Sequence, residues 1–218
     1  MPSPIRGRCP TLNRERRLLR RGFFQVAGLD EAGRGAWAGP LSAGAVILPI
    51  RLPALRAILH NVRDSKQMTP RQRMLAAEKI RSVAVAWAVG SASAEEVDRI
   101  GPLRATRLAM IRAIAGLQTV PDHLLIDYLT LPESTLPQTA VTHGDALSLS
   151  IAAASVIAKT WRDEHMTALE RLYPGYGFAR HKGYGTGGHA EMLARLGACP
   201  EHRRSYAPVR RTTVFTPV

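Results

Sequence analysis

Cysteine is scarce in this chain, and its two cysteines form no metal-binding pattern. Cys9 and Cys199 lie near opposite ends, so they make neither a CxxC pair nor a zinc-ligand spacing. We therefore expect two free thiols, as is usual for a protein of the reducing cytosol. The expected location is the cytoplasm.

Long apolar runs are also missing. No segment holds the ~20 apolar residues that a membrane-spanning helix needs, and no apolar signal-peptide core follows the N-terminal arginines. We expect no membrane partner. With 218 residues, 45% of them hydrophobic, the chain can form one domain with a substantial core, with or without an appendage.

Acidic residues are few. There are 17 aspartates and glutamates against 30 lysines and arginines, which gives a formal net charge of +13. Such an excess favours a polyanionic partner, nucleic acid before any other, although solvated arginines that aid solubility are the alternative. Seven arginines lie in residues 1–21, which we predict to be a flexible basic tail with a short helix from about Asn13. The tail either contacts phosphates or is simply solvated.

The hydrophobic pattern predicts a layered α/β domain around one mixed sheet, because early strands are followed by strands that alternate with helices. The predicted strands cover residues 24–30, 41–48, 83–89 and 123–127, with a further short run at 140–145. The predicted helices cover residues 70–82, a short segment capped by Ser93, a longer one opened by Pro102, and residues 147–172 and 188–196.

Four of the scarce acids lie where predicted strands end. They are Asp30, Glu31, Asp127 and Asp145. Ligand sites in α/β folds lie at the carboxyl ends of strands, and hard divalent cations prefer carboxylate ligands. With the basic charge, this arrangement indicates metal-dependent cleavage of a nucleic acid backbone, in which two ions flank the phosphodiester. The alternative is that each acid caps a helix or pairs with an arginine.

Three basic or polar residues share one face of the predicted helix 147–172. Ser155, Lys159 and Arg162 follow the i, i+4, i+7 spacing, which suits a phosphate backbone, while Ile157, Trp161 and Ala168 can pack on the sheet. The alternative is a solvated face on which Lys159 pairs with Asp163.

Two loops carry weaker signals. The glycines of Gly33-Arg34-Gly35 let a ligand approach the backbone, although the pattern alone favours a tight turn between two strands. The loop at residues 181–186 places Tyr184 among polar donors, where its ring could stack on a base or sugar or pack on its own loop.

Together these stretches resemble ribonuclease HII, the bacterial type 2 ribonuclease H family. The resemblance spans about residues 23–208. The matching blocks, in family order, are GLDEAGRG (28–35), GP (39–40), DSK (64–66), ID (126–127), GDA (144–146), IAAAS (151–155), AK (158–159), RD (162–163), YP (173–174), YGF (176–178), HKGY (181–184) and HRRS (202–205).

The resemblance implies a ribonuclease H-like fold with a five-stranded mixed sheet flanked by helices. It divides the chain into the tail 1–21, a catalytic domain 22–172 and a C-terminal loop and helical extension 173–218. It also implies an endonuclease that cuts RNA in RNA–DNA hybrids and nicks duplex DNA on the 5′ side of embedded ribonucleotides, leaving 3′-hydroxyl and 5′-phosphate ends.

The resemblance also assigns roles to residues. Asp30, Glu31, Asp127 and Asp145 match the family's metal-binding acids, which act with two Mg²⁺ or Mn²⁺ ions when substrate is bound. The loop Gly33–Gly35 would contact the ribonucleotide and its 2′-hydroxyl, and Tyr184 would stack near the sugar. The remaining predicted duplex contacts are Lys66, Ser155, Lys159, Arg162 and Lys182.

Three residues depart from the family pattern. Tyr128 stands where glycine is usual, Leu147 replaces a frequent lysine, and Met68 replaces leucine. No carboxylate is lost, so we expect an active enzyme, and we expect a monomer. Two other classes stay open, namely a nucleic-acid binder without catalysis and a phosphohydrolase acting on small substrates. Docking on a sliding clamp is also left open, because the C-terminal Val214–Val218 offers an aromatic residue but no convincing motif.

Overall fold

The computed structural model describes residues 9–212. The tip of the basic tail, residues 1–8, and the aromatic C-terminal segment lie outside the described residues. The strands are β1 (Val26–Ala32), β2 (Leu41–Ile47), β3 (Ala86–Ala92), β4 (His123–Asp127) and β5 (Gln138–Val141). The helices are α1 (Asn13–Leu19), α2 (Leu55–Ile58), α3 (Pro70–Val83), α4 (Ala94–Ala115), α5 (Gly144–Leu147), α6 (Leu149–Leu172), α7 (Phe178–His181), α8 (Gly187–Leu196) and α9 (Ala207–Thr212).

The five strands form one mixed sheet in the order β3-β2-β1-β4-β5. The first three strands are antiparallel neighbours, whereas β4 pairs parallel with β1 and β5 pairs parallel with β4. The predicted α/β architecture is therefore confirmed. The central strands β1 and β2 are almost continuously buried, as expected for strands covered on both faces.

Helices cover both faces of the sheet. On one face, α4 packs against β1, β2 and β3 over a core that includes Leu29, Leu41 and Met110. On the other face, α6 crosses β1 and β2 and packs against α3. The close approach of α6 requires Gly28 and Gly44, because a Cβ at either position would collide with the backbone of α6.

Several predicted element boundaries were close and others were wrong. The predicted start of α3 is confirmed, with a capping box at Thr69, and the predicted break before Pro102 appears as a kink in α4 at Gly101. The strand predicted at 83–89 is wrong by three residues, because α3 continues to Val83 before the chain extends. The run of small apolar residues there does not fix the boundary.

The predicted short helix from about Asn13 is confirmed as α1, but the prediction that the segment through residue 21 is a flexible tail is wrong for the part that α1 anchors. Leu12 and Leu18 of this segment are buried in the core, and so is Glu15 on α1. The Glu15 carboxylate accepts hydrogen bonds from Ser148 Oγ at 2.6 Å and from Ser150 N at 2.9 Å. Helix α1 is thus anchored to the beginning of α6 rather than detached from the domain.

The C-terminal region forms a helical extension, as predicted. Its buried cluster combines Met166 and Leu169 of α6 with Tyr176, Phe178 and other residues. Within residues 9–212, no helix is both long enough and apolar enough to cross a membrane.

Candidate active site

Three of the predicted acids meet at the centre of the sheet. Asp30 and Glu31 lie toward the end of β1, and Asp127 is the last residue of β4. Leu29 pairs with Ile126 in the parallel register, so the next residues along the two strands are Asp30 and Asp127. The sheet therefore places two carboxylates side by side, with Glu31 one residue further on.

The fourth acid, Asp145, reaches the same place by a different route. It was predicted at the end of a strand, but it lies in the first turn of α5, after His143 reverses the chain with φ +56°. Asp127 Oδ1 accepts a hydrogen bond of 2.7 Å from Gly144 N. That bond fixes the start of α5 against the end of β4 and so brings Asp145 beside Asp127.

Burial raises the pKa of all four carboxyl groups. The pKa of Asp30 is raised most clearly, first by burial and then by the charges of Glu31 and Asp127, and only 2% of its surface is exposed. A hydrogen bond from Ser155 acts in the opposite direction on that pKa. The acids thus repel one another where they are partly or fully buried, which is a costly arrangement unless a cation joins them.

Two carboxylate oxygens of this cluster have no hydrogen-bond partner. Asp30 Oδ2 and Glu31 Oε2 are buried and have no hydrogen-bond partner. Buried carboxylate oxygens are normally paired or bound to metal, so the donor set fits a hard divalent cation. In the described part of the chain, no three acidic, histidine or cysteine side chains stand close enough together to enclose an ion as they are placed.

Lys66 stands among the acids as a positive charge. Its Nζ lies 3.8 Å from Asp145 Oδ2, and its side chain is 75% exposed. Burial lowers the pKa of Lys66, but the charges of Asp30, Asp64 and the other acids outweigh that effect, and the pKa is raised overall. Asp64 contributes to the same electrostatic field, and it was not among the predicted site residues although it belongs to the family-like block DSK.

The loop Gly33–Gly35 follows β1 directly. Gly33 has φ +88°, and a Cβ there would collide with the side chain of Arg162, so this glycine is required by the protein itself. Gly35 has no such reason, because a Cβ there would find no atom within 4 Å. The side of the loop at Gly35 is therefore open, and Arg34 is exposed beside it.

Arg162 does not face substrate, which corrects one prediction. It is fully buried, and its guanidinium donates to the carbonyl oxygens of Pro40 at 2.8 Å, Lys182 at 2.8 Å and Ala38 at 3.1 Å. Burial lowers the pKa of Arg162 to about 10. Arg162 joins α6 to the loop after Gly35 and to the loop that carries Tyr184.

The other members of the predicted phosphate-binding face are also engaged within the protein. Ser155 is 2% exposed, contacts Ser65 Oγ at 2.9 Å and lowers the pKa of the neighbouring Asp30, so it lies behind the acids and not on a phosphate-facing surface. Lys159 Nζ pairs with Asp163 Oδ1 at 2.6 Å, as the alternative interpretation predicted. The predicted packing of Ala168 on the sheet is wrong, because Ala168 is exposed.

The ring of Tyr184 packs against the two basic side chains of α6 described above. Its ring centre is 5.0 Å from Lys159 Nζ and 5.2 Å from Arg162 Cζ, so two cations hold the half-buried ring. Lys182 Nζ donates to Asp163 O at 3.1 Å and to Thr167 Oγ1 at 2.6 Å. Its predicted duplex contact would require these bonds to be exchanged.

Sequence reasoning also missed two residues of the C-terminal extension. Arg203 is fully buried and donates to Gly39 O and, at 3.0 Å, to Arg34 O. Tyr206 Oη donates to the same Arg34 oxygen at 2.5 Å. The block HRRS contains Arg203, but nothing in its pattern distinguishes a buried arginine from a solvated one.

Comparison with known proteins agrees with this geometry. The family model described as Ribonuclease HII matches residues 27–209. Ribonuclease HII of Roseiflexus castenholzii is 51% identical over 205 residues, covering 94% of this chain and 92% of that protein. Ribonuclease HII of an Anaeromyxobacter strain is 52% identical over 197 residues, covering 90% of this chain and 61% of that protein. The chain belongs to the ribonuclease HII family.

Solved structures support the family assignment at the level of fold. The ribonuclease H2 of Pyrococcus horikoshii matches with a TM-score of 0.70 and 27% identity, over 86% of this chain and 96% of that one. The chain in the PCNA:RNase HII complex of Archaeoglobus fulgidus matches with a TM-score of 0.71 and 25% identity, over 88% and 98%. Ribonuclease HII enzymes are metal-dependent endonucleases, hydrolases with ribonuclease H activity on RNA–DNA hybrids.

Proposed function

We propose that this chain cleaves the RNA strand of RNA–DNA hybrids and also nicks duplex DNA on the 5′ side of embedded ribonucleotides, leaving 3′-hydroxyl and 5′-phosphate ends. The observation that carries the proposal is the pair of buried, unpartnered carboxylate oxygens on Asp30 and Glu31. They lie beside Asp127 and Asp145 in a chain of net charge +13. A protein that only bound polyanions would gain nothing from four acids at its binding surface.

The four acids would hold two divalent cations, Mg²⁺ or Mn²⁺, together with the scissile phosphate. When bound, the ions would supply an activated water and stabilise the departing 3′ oxygen. Bst-RNase HIII, which shares the fold at 21% identity with a TM-score of 0.69 over 88% of this chain and 70% of that one, has been solved in complex with Mn²⁺. Ser155 favours the ionised form of Asp30, and Gly144 N, which donates to Asp127, favours that carboxylate's ionised form and holds it in place.

The chain's own residues would choose RNA over DNA beside these acids. The open side of the loop at Gly35 lets a sugar approach the backbone, and the exposed Arg34 lies next to it. Tyr184, held by two cations, would stack near the sugar at the junction. Because the 2′-hydroxyl is the group that distinguishes RNA from DNA, a site that hydrogen-bonds it rejects the deoxy analogue strongly.

Lys66 and the wider basic surface would hold the duplex without regard to sequence, so binding should weaken as salt rises. Lys159 and Lys182 would join them only after releasing their present partners. We further propose a monomer that works in the cytoplasm, with Cys9 and Cys199 as free thiols. The complex of the Archaeoglobus protein with PCNA supports clamp docking as a hypothesis for this chain as well.

The decisive experiment uses labelled duplex DNA carrying one ribonucleotide, an all-DNA duplex and a long RNA–DNA hybrid, each with Mg²⁺, Mn²⁺ or EDTA. We expect one metal-dependent nick 5′ of the ribonucleotide and no cut in the all-DNA control. Cleavage of long hybrids alone would remove the proposed role of Tyr184 at the junction. Binding without cleavage in either metal would favour a pure binder, and turnover of small phosphate esters would favour a general phosphohydrolase.

A further inference from the structure

Tyr128 has a strained backbone beside a proposed metal ligand. It follows Asp127 directly and has φ +47°, in the left-handed region that a bulky side chain rarely adopts. The strain is enforced by hydrogen bonds on both sides, from Tyr128 N to Val141 O at 3.1 Å and from Leu129 N to Asp127 O at 2.6 Å. Glycine would adopt this conformation without cost, so the tyrosine side chain must be explained by something other than the turn.

The side chain of Tyr128, just after β4, contacts Arg34 in the loop that follows the neighbouring strand β1. Arg34 Nη1 donates a hydrogen bond to Tyr128 Oη, and the Arg34 guanidinium carbon lies 5.3 Å from the centre of the Tyr128 ring. Both side chains are exposed at this point, with 38% of Tyr128 accessible. An exposed arginine between two glycines would otherwise sample many conformations.

We propose that Tyr128 is a positioning residue that orders the Arg34 guanidinium for the ribonucleotide before substrate arrives. The inference rests on the proposed function, in which the loop Gly33–Gly35 contacts the ribonucleotide. The Arg34 backbone is already fixed, because Arg203 and Tyr206 both donate to its carbonyl oxygen. Tyr128 completes the arrangement by fixing the other end of the same residue.

Pre-ordering has a distinct kinetic signature. An arginine that is already in place loses little further conformational freedom when substrate binds, so affinity improves without any change in the chemical step. Removing the Tyr128 contact should therefore raise KM for the ribonucleotide substrate and leave kcat nearly unchanged. A residue that only maintained the fold would not produce this split.

The test begins with Tyr128→Phe, which keeps the ring and the backbone conformation but removes the hydroxyl. Without the hydroxyl, the long Arg34 side chain must be ordered when substrate binds, which should raise KM about 3- to 10-fold and leave kcat within about twofold of the parent. Tyr173→Phe, in the C-terminal cluster, is the matched control and should leave both constants unchanged. Tyr128→Gly should give a larger rise in KM while keeping the thermal midpoint, because glycine relieves the strain.

A double-mutant cycle with Arg34→Ala shows whether Tyr128 acts through Arg34. Arg34→Ala should raise KM, and adding Tyr128→Phe to it should change nothing further. Fluorescence anisotropy in EDTA, where no cleavage occurs, should show the same pattern in Kd for the single-ribonucleotide duplex and a smaller one for all-DNA duplex. The inference is thus tested by the Kd of binding without cleavage as well as by the KM of cleavage.

The outcomes separate this inference from the function on which it rests. If Arg34→Ala raises KM but Tyr128→Phe does not, Tyr128 has no positioning role while the proposed function stands. Equal effects of Tyr128→Phe with and without Arg34 would also overturn the inference, as would a lower KM in Tyr128→Phe, which would mean that Tyr128 restrains Arg34 from substrate. If Arg34→Ala leaves KM unchanged, both the loop assignment and the inference are wrong.

Discussion

Replacing Arg162 with methionine tests whether a buried cation, rather than a substrate contact, holds the loops of the site together. Methionine keeps an unbranched apolar stem without the guanidinium, so it removes three hydrogen bonds and leaves the carbonyls of Ala38, Pro40 and Lys182 without this donor. Each unsatisfied buried carbonyl costs roughly 2 kcal/mol, which gives about 6 kcal/mol in total.

Part of that loss is offset because the charge itself is costly to bury. Burial lowers the pKa of Arg162 from the usual 12.5 to about 10, and at 1.36 kcal/mol per pH unit this corresponds to about 3 kcal/mol. The difference predicts that Arg162→Met lowers the free energy of unfolding by about 3 kcal/mol. Arg162→Lys should recover little, because an ammonium cannot reproduce the planar fork that serves three carbonyls.

Urea unfolding at neutral pH measures this change, with Arg171→Met as the control. Arg171 lies near the end of the same helix and is exposed, so its replacement should change the free energy of unfolding by less than about 0.5 kcal/mol. If Arg162→Met were as stable as Arg171→Met but bound duplex DNA more weakly, the original phosphate-contact interpretation would be right and the structural account wrong.

Three further predictions follow from buried polar groups. Burial lowers the pKa values of His189 and His202 to about 4, so the unfolded chain binds more protons between pH 6.5 and 4. The free energy of unfolding should keep its full value above about pH 6.5 and fall toward pH 4 by roughly 3 kcal/mol for each of the two histidines. Thermal unfolding measures this loss, which should be smaller in a variant with glutamine at both positions. Asp30→Asn should cut cleavage at least about 100-fold yet raise the thermal midpoint in EDTA, because it removes a buried carboxyl whose pKa is raised; near-normal cleavage would contradict the metal assignment. Glu15→Ala should destabilise by about 2 kcal/mol and expose residues 9–21 to protease, unless α1 is held by its apolar contacts alone.

The sequence predicted the sheet and its acids because one physical rule covers both. An apolar run that ends in a carboxylate indicates a buried strand with a functional charge at its end. This pattern predicted Asp30 and Asp127 together with β1 and β4. The same rule misplaced Asp145 on a strand. A short apolar run has the same pattern whether it forms a strand or a turn followed by a short helix. The turn at His143 depends on tertiary packing, which the local sequence does not show.

Buried charges were the class that sequence could not predict. Glu15 falls in the segment predicted to be a flexible tail, Arg162 was predicted to contact the duplex, and Arg203 received no predicted role, because charged residues are usually exposed. Their partners are backbone atoms and a serine far away in the chain, as in the bond from Arg203 to Gly39 O. No periodicity marks a side chain whose partner is a distant carbonyl, so only the fold reveals it.

The spacing of Ser155, Lys159 and Arg162 was informative although the role assigned to those residues was not. Seven residues of helix span roughly 10 Å, so one face of α6 can reach both the acids and the loops beyond them. Ser155 acts on the pKa of Asp30, Lys159 lies against the ring of Tyr184, and Arg162 binds the segments that follow Gly35 and precede Gly183. The proposed metal ligands and the proposed sugar contacts therefore share one rigid support. A change in α6 should for that reason disturb the cleavage step and ribonucleotide binding together, whereas a change at Tyr128 should weaken ribonucleotide binding and leave the cleavage step nearly unchanged.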